Sequence, residues 1–258
     1  MVMTYLIALV LGACIGSFLN VCMDRWPREE SVLLPASQCA KCKRKLPWSE
    51  KLPVISYLLL RGRCRSCGEK IRFRILGVEI LSAAIGVLLY LLLGWSVALA
   101  WWSFFVGGLL IAIVTDLEHG IIPDEVPFYG ILFAWIVSFF YPGFHGEQLH
   151  RLGLADSVLG MLAGGMIMIA AAWLGELILR RECMGGGDIK LMAMIGAFTG
   201  AKAVFVVFLL APILSIPVGL VTRFILKQKT FPFGPYIALA GILALWQGDE
   251  WFRLIFYF

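Results

Sequence analysis

The sequence predicts an all-α membrane protein: a bundle of eight transmembrane helices with a small zinc-ribbon-like insert in the cytosol. Three observations predict it. Hydrophobic residues make up 60% of the 258 positions and charged residues only 15%, against about a quarter charged in an ordinary soluble domain. Several apolar runs approach the ~20 residues a helix needs to cross a bilayer. Four of the seven cysteines form two C-x-x-C pairs inside the most basic stretch of the chain. The net charge of +5 is concentrated in that stretch, so it points to the membrane surface and no nucleic-acid partner is expected.

The first run, Met3–Cys22, has no basic segment before it and leads into basic residues after it. It reads as a first span and not as a cleaved signal. The connection Met23–Arg74 holds thirteen of the 22 basic residues and five acids. The positive-inside rule places that loop in the cytosol and the N-terminus outside. The remaining spans are Ile75–Leu93, Ser96–Val114, Val126–Pro142, Ser157–Leu179, Ile189–Gly200, Ala203–Val221 and Phe231–Gln247. The sixth has 12 residues, about 18 Å of helix. It counts as a crossing because Arg223, Lys227 and Lys229 then fall in the cytosol. The chain thus divides into a first transmembrane helix (1–22), a cytosolic zinc-binding insert (23–74) and a membrane bundle (75–258).

Within the insert, Cys39, Cys42, Cys64 and Cys67 follow a C-x-x-C…C-x-x-C pattern with a 21-residue spacer. Four thiolates close a tetrahedral zinc site, which leaves no open position for catalysis. A reducing cytosol disfavours the alternative of two disulfides. Cys14, Cys22 and Cys183 lie outside the pattern.

Carboxylates supply the second signal. By the span count, "TDLEHGIIPDE" (115–125) and "GGGDIK" (185–190) fall on the same cytosolic face. Asp116 should end one helix and Asp188 should begin another. Asp124 reads best as a helix N-cap, a common role for aspartate. A cap alone does not need the three glycines before Asp188, which suit close approach of a backbone. Two aspartates that meet share a proton, so one can activate water while the other protonates a leaving group. That is aspartic peptidase chemistry. No HExxH zinc-protease motif accompanies His119. A proton-coupled transporter, with Asp116 and Asp188 as relay groups and Glu79 or Glu176 assisting, is the alternative. It predicts inverted repeats, and none is visible. Gly160 and Gly164 have helix-packing spacing.

In order and spacing, "GACIGSFLNVCMDRWPR", the two cysteine pairs around "LPWSEKLPVISYLLLRGRCRSCG", "DLEHGIIPDE", "GGGDIKLMAMIGAF" and "FPFGPY" resemble the type IV prepilin peptidases. The resemblance covers nearly the whole chain. It implies a bacterial inner-membrane aspartic endopeptidase that removes the leader from prepilins or pseudopilins at the cytosolic face. It also implies N-methylation of the new N-terminus with S-adenosylmethionine in many members. Carried over, the catalytic pair falls on Asp116 and Asp188, the second in the family's GxGD motif. The metal tetrad falls on Cys39, Cys42, Cys64 and Cys67. The substrate implied is a pilin-like helix lying in the lipid bilayer with its leader in the cytosol.

Overall fold

The computed structural model describes residues 2–145, 148–180, 184–224 and 231–244. Cys183, Lys227, Lys229, the Arg223 side chain and the last residues of the eighth expected span lie outside that description. The described helices are α1 (Val2–Arg25), α2 (Ile55–Leu59), α3 (Phe73–Leu93), α4 (Val97–His119), α5 (Glu125–Phe140), α6 (His150–Leu179), α7 (Gly186–Phe224) and α8 (Gly234–Ala244). Five of them are long and apolar enough to cross a membrane, and α5 and α8 are shorter apolar helices. Among the described residues there is no strand, only two isolated antiparallel bridges. The all-α membrane architecture is therefore as expected.

The expected sixth and seventh spans form a single helical stretch, α7, broken at Gly200 (φ 77°, ψ 168°). An ideal Cβ at Gly196 would sit 2.9 Å from Val204 Cγ2. Eight residues of continuous helix would hold those positions about 12 Å apart. The chain therefore folds sharply at Gly200, whose positive φ suits glycine, and each half runs beside the other. With 16 residues, α5 is about 24 Å long, short of the ~30 Å hydrocarbon thickness.

Contacts group the chain into two compact units, Met1–Gly107 and Gly108–Phe258. In the first, α1 and α3 pack with their backbones almost touching. A Cβ on Gly12 would lie 2.6 Å from the Ser82 carbonyl oxygen, and one on Gly16 would lie 2.9 Å from Glu79 Cα. The glycines of "GACIGSFLN" are thus packing residues, and Asn20 Nδ2 donates across the pair to the Ile75 carbonyl at 3.0 Å. Asp24 then meets Arg74 at 2.5 Å and Arg72 at 3.5 Å, so the two ends of the insert are pinned together.

In the second unit, α6 and α7 meet in the same manner. Gly160 packs on the Gly196 carbonyl and Gly164 on the Met192 carbonyl, while Ser157 Oγ donates to the Ala197 carbonyl at 2.7 Å. The expected packing role of the Gly160/Gly164 pair holds. Met194 fills the place a side chain at Gly130 would take, which locks α5 onto α7.

Candidate active site and metal centre

Helix α4 carries Asp116 and does not stop at Val114 as expected. Nothing in Thr115–His119 breaks a helix, and the end comes at Gly120 (φ 68°), whose N–H reaches the Asp116 carbonyl at 2.9 Å. This is a left-handed glycine cap. Asp116 therefore sits in the last turns of α4, with only 8% of its surface exposed. Likewise α7 starts at Gly186, not Ile189, which puts Asp188 in its first turn and half-buried. The structure brings Asp116 and Asp188 together, close enough for their charges to interact.

A third participant escaped the sequence reasoning. The backbone N–H of Gly234, at the start of α8, donates to Asp116 Oδ2 at 2.9 Å in a buried position. A Cβ there would lie 2.8 Å from that oxygen. Residue 234 must be glycine for its amide to come so close. The Gly-Pro step in "FPFGPY" was the available signal, because a Gly-Pro pair punctuates the chain where a new element begins and glycine permits close backbone approach.

Of the three glycines, Gly187 makes the close approach that their lack of side chains suggests, to Ile122. A Cβ on Gly187 would meet Ile122 Cβ at 3.0 Å, while Gly186 faces open space. The buried side chain of Ile122 also ends 3.0 Å from where a Gly234 Cβ would be. Ile122 is thus wedged between the starts of α7 and α8, beside Asp116.

Asp124 occupies the N-cap position of α5, yet its side chain makes no capping bond. It accepts instead from Lys190 Nζ, with both oxygens at 2.7 Å. The N-cap expectation fails because a cation one half-turn beyond Asp188 competes better than the local amides. Through Asp124 and Ile122, the 120–124 loop is fastened to the N-terminus of α7.

Glu79 takes a structural contact. It is buried in α3 and accepts the Val54 N–H at 2.7 Å. Val54 turns the chain at φ 62° with Ile55 N–H bonded to the Pro53 carbonyl at 2.6 Å. A β-branched residue is strained there. Glu79 holds that turn, and with it the start of α2, against α3. Glu176 is exposed on α6.

The four sequence-nominated cysteines converge: the Sγ atoms of Cys39, Cys42, Cys64 and Cys67 all lie within 4.8 Å of one another. A tetrahedron with metal–sulfur bonds of about 2.3 Å has edges of about 3.8 Å, and the Cys39–Cys67 edge is 3.7 Å. The donor set fits a metal ion. The two knuckles repeat at an offset of 25 residues. Cys39 N–H reaches the Arg44 carbonyl as Cys64 N–H reaches that of Glu69, and the bridges Gln38–Lys45 and Arg63–Lys70 correspond. Lys43 (φ 56°) and Gly68 (φ 67°) occupy the same left-handed position. In each knuckle two backbone N–H groups point at the first sulfur. Those of Cys42 and Lys41 pull the Cys39 thiol below its ordinary pKa, and those of Cys67 and Ser66 bring Cys64 down to about 6. Both favour the thiolate that binds metal. Lys41–Glu69 joins the knuckles at 2.8 Å, and Arg44 pairs with Glu50.

Residues 10–93 match the bacterial peptidase A24 N-terminal domain, and residues 102–220 match the type IV leader peptidase family. A prepilin leader peptidase/N-methyltransferase of Pseudomonas putida is 33% identical over 95% of this chain and 91% of its own. The type 4 prepilin-like proteins leader peptide-processing enzyme of an Escherichia coli strain is 32% identical over 93% of each chain. A prepilin leader peptidase/N-methyltransferase of Aeromonas hydrophila is 32% identical over 92% of this chain and 88% of its own. No solved structure matches. None of these similarities supports the transporter alternative.

Proposed function

The chain belongs to the type IV leader peptidase family, and we propose that it removes the leader from prepilins or pseudopilins with Asp116 and Asp188 as its catalytic pair. What supports the reading is that these two carboxylates, at the end of one apolar helix and the start of another, lie near enough for their charges to interact, with Asp116 buried and Asp188 half-buried. One carboxylate takes a proton from water as the water attacks the scissile carbonyl. The other, protonated, donates to the carbonyl oxygen. When the tetrahedral intermediate collapses, the departing amine takes a proton from the pair while a hydroxyl of the intermediate returns one as the carbonyl re-forms, so the dyad again holds one proton shared between two groups. Gly234 holds Asp116 at one oxygen, so the second remains for proton traffic.

In this reading the insert and the dyad face the cytosol of a bacterium, the N-terminus lies outside and the spans sit in the inner membrane. The support is the excess of lysine and arginine in 23–74. The cysteine tetrad binds zinc, which cross-links the two knuckles and leaves no position for substrate. N-methylation of the new N-terminus, an activity named for relatives such as those of Pseudomonas putida and Aeromonas hydrophila, is part of the proposal. The donor S-adenosylmethionine supplies the methyl group. The described residues contain no strand-to-helix glycine turn to cradle a nucleotide, so no residue is assigned to it.

The test is co-expression with a prepilin and mass analysis of the product's N-terminus. A product cut at the leader junction and heavier by one methyl group is expected. An uncut precursor would remove the peptidase reading, and a cut but unmethylated product would remove the second activity alone.

A further inference from the structure

We propose that α2 is an interfacial anchor that docks the insert onto the anionic headgroup layer of the membrane entered by α1 and α3. The pattern of α2 is inverted relative to a water-exposed helix. Ile55, Leu58 and Leu59 share one face of α2 at three- and four-residue spacing, and that face is open: Leu58 is 62% exposed and Leu59 77%, with Leu52, just before the Val54 turn, exposed as well. Tyr57 turns the other way, its hydroxyl packed on Gly62. Trp48, 85% exposed, sits ahead of the stripe with Lys51 Nζ 5.1 Å from its ring centre. Arg61, Arg63 and Arg65 follow the stripe, all exposed.

Depth decides between water and lipid. The Val54 amide that opens α2 is bound to Glu79, six residues into α3, which starts at Phe73. At 1.5 Å per residue that is about 9 Å along the helix from its start. The stripe is therefore held level with the first turns of an apolar membrane helix, where leucines reach acyl chains and tryptophan favours the interface. The insert's excess of basic residues, thirteen against five acids, complements anionic lipid. A lipid surface satisfies both the apolar stripe and the cations around it. A protein partner would have to supply an apolar groove with an acidic rim at the same depth.

The full-length protein, one copy per nanodisc, is compared with Trp48→Phe, so that the difference in emission reports Trp48 alone. Nanodiscs contain phosphatidylcholine with or without phosphatidylglycerol, with brominated acyl chains as quencher. With phosphatidylglycerol, the Trp48 emission should fall by about twofold or more, as for an interfacial ring. The quenching should weaken in phosphatidylcholine alone, in the Arg61→Gln/Arg65→Gln variant, and in a Leu58→Asp/Leu59→Asp variant that keeps its metal. Trp48 emission untouched by brominated lipid would overturn the proposal, whether or not those variants fold. Equal quenching in both lipids would overturn its anionic part. Shielding seen only with two copies per disc, or only after a prepilin is added, would assign the stripe to a protein partner and overturn the anchor.

Discussion

Gly234→Ala is the most local perturbation of the proposed chemistry that leaves both aspartates in place. The added methyl carbon would lie 2.8 Å from Asp116 Oδ2, 3.3 Å from its Cγ and 3.0 Å from Ile122 Cδ1. Ile122 can rotate its terminal methyl aside. Asp116 cannot move without leaving the buried end of α4, so the carboxylate turns and the 2.9 Å bond from the Gly234 amide breaks. A hydrogen bond to a charged group contributes about 1.5–3 kcal/mol. At 1.36 kcal/mol per factor of ten, turnover should drop about 10- to 150-fold. Because Asp116 acts on the reacting atoms, the loss should fall on kcat more than on KM. The assay is the initial rate of leader removal from a purified precursor in nanodiscs, with melting temperature as the check on folding. Gly186→Ala is the matched control. Its methyl meets nothing within 4 Å, and at the first residue of α7 it disturbs no packing. It should leave both turnover and stability close to the parent's. Gly187→Ala, pressed on Ile122 Cβ, should fall between the two. A folded Gly234→Ala enzyme working within about twofold of the parent, where a lost charged bond predicts at least tenfold, would refute the reasoning.

Metal analysis should find one zinc per chain, and Cys39→Ser should release it and expose the insert to protease; metal-free protein with intact, reduced cysteines would contradict the tetrad. Lys43→Gly should hold zinc longer against a chelator. It removes a left-handed non-glycine residue at a cost of about 1–2 kcal/mol, whereas Gly68→Lys should act in reverse. Asp124→Lys and Lys190→Asp should each loosen the 120–124 loop and lower cleavage modestly, since an exposed ion pair contributes about 0.2–1 kcal/mol. The charge-swapped double variant should recover most of that loss, and no recovery would show that the pair is not what fastens the loop.

The five long helices were legible because each is a long apolar run, and hydrophobic length marks a membrane segment. Their ends were less so. α4 continues to His119 because Thr115–Glu118 lies within what a helix tolerates, and α7 begins two residues before Asp188 because the glycines wind into its first turn. The cysteine tetrad was readable from spacing, since four thiols at two short intervals have few other uses in a reducing compartment. The carboxylate pair was readable only through topology, which placed two loops on one face. Contacts between remote, unpatterned residues left no trace. Gly234 lies 118 positions from Asp116, and nothing in the periodicity of α8 says where its first amide points. The sequence reads Asp124 as an N-cap and Glu79 as a carboxylate assisting only in the transporter alternative. Their partners, Lys190 and the Val54 amide, follow from packing that only coordinates supply.

The central claim is that Asp116 and Asp188 form one catalytic unit, and it is tested most directly by cleavage of a prepilin by Asp116→Asn, Asp188→Asn and the double variant. All three should insert in the membrane, keep their zinc and melt like the parent. Each single variant should lose leader removal to the level of the double, because a shared-proton pair fails without either member and residues acting as a unit are not additive. If either single variant retains turnover near that of the parent, or if the double is far worse than both singles, the two aspartates do not work as a pair and the account is wrong.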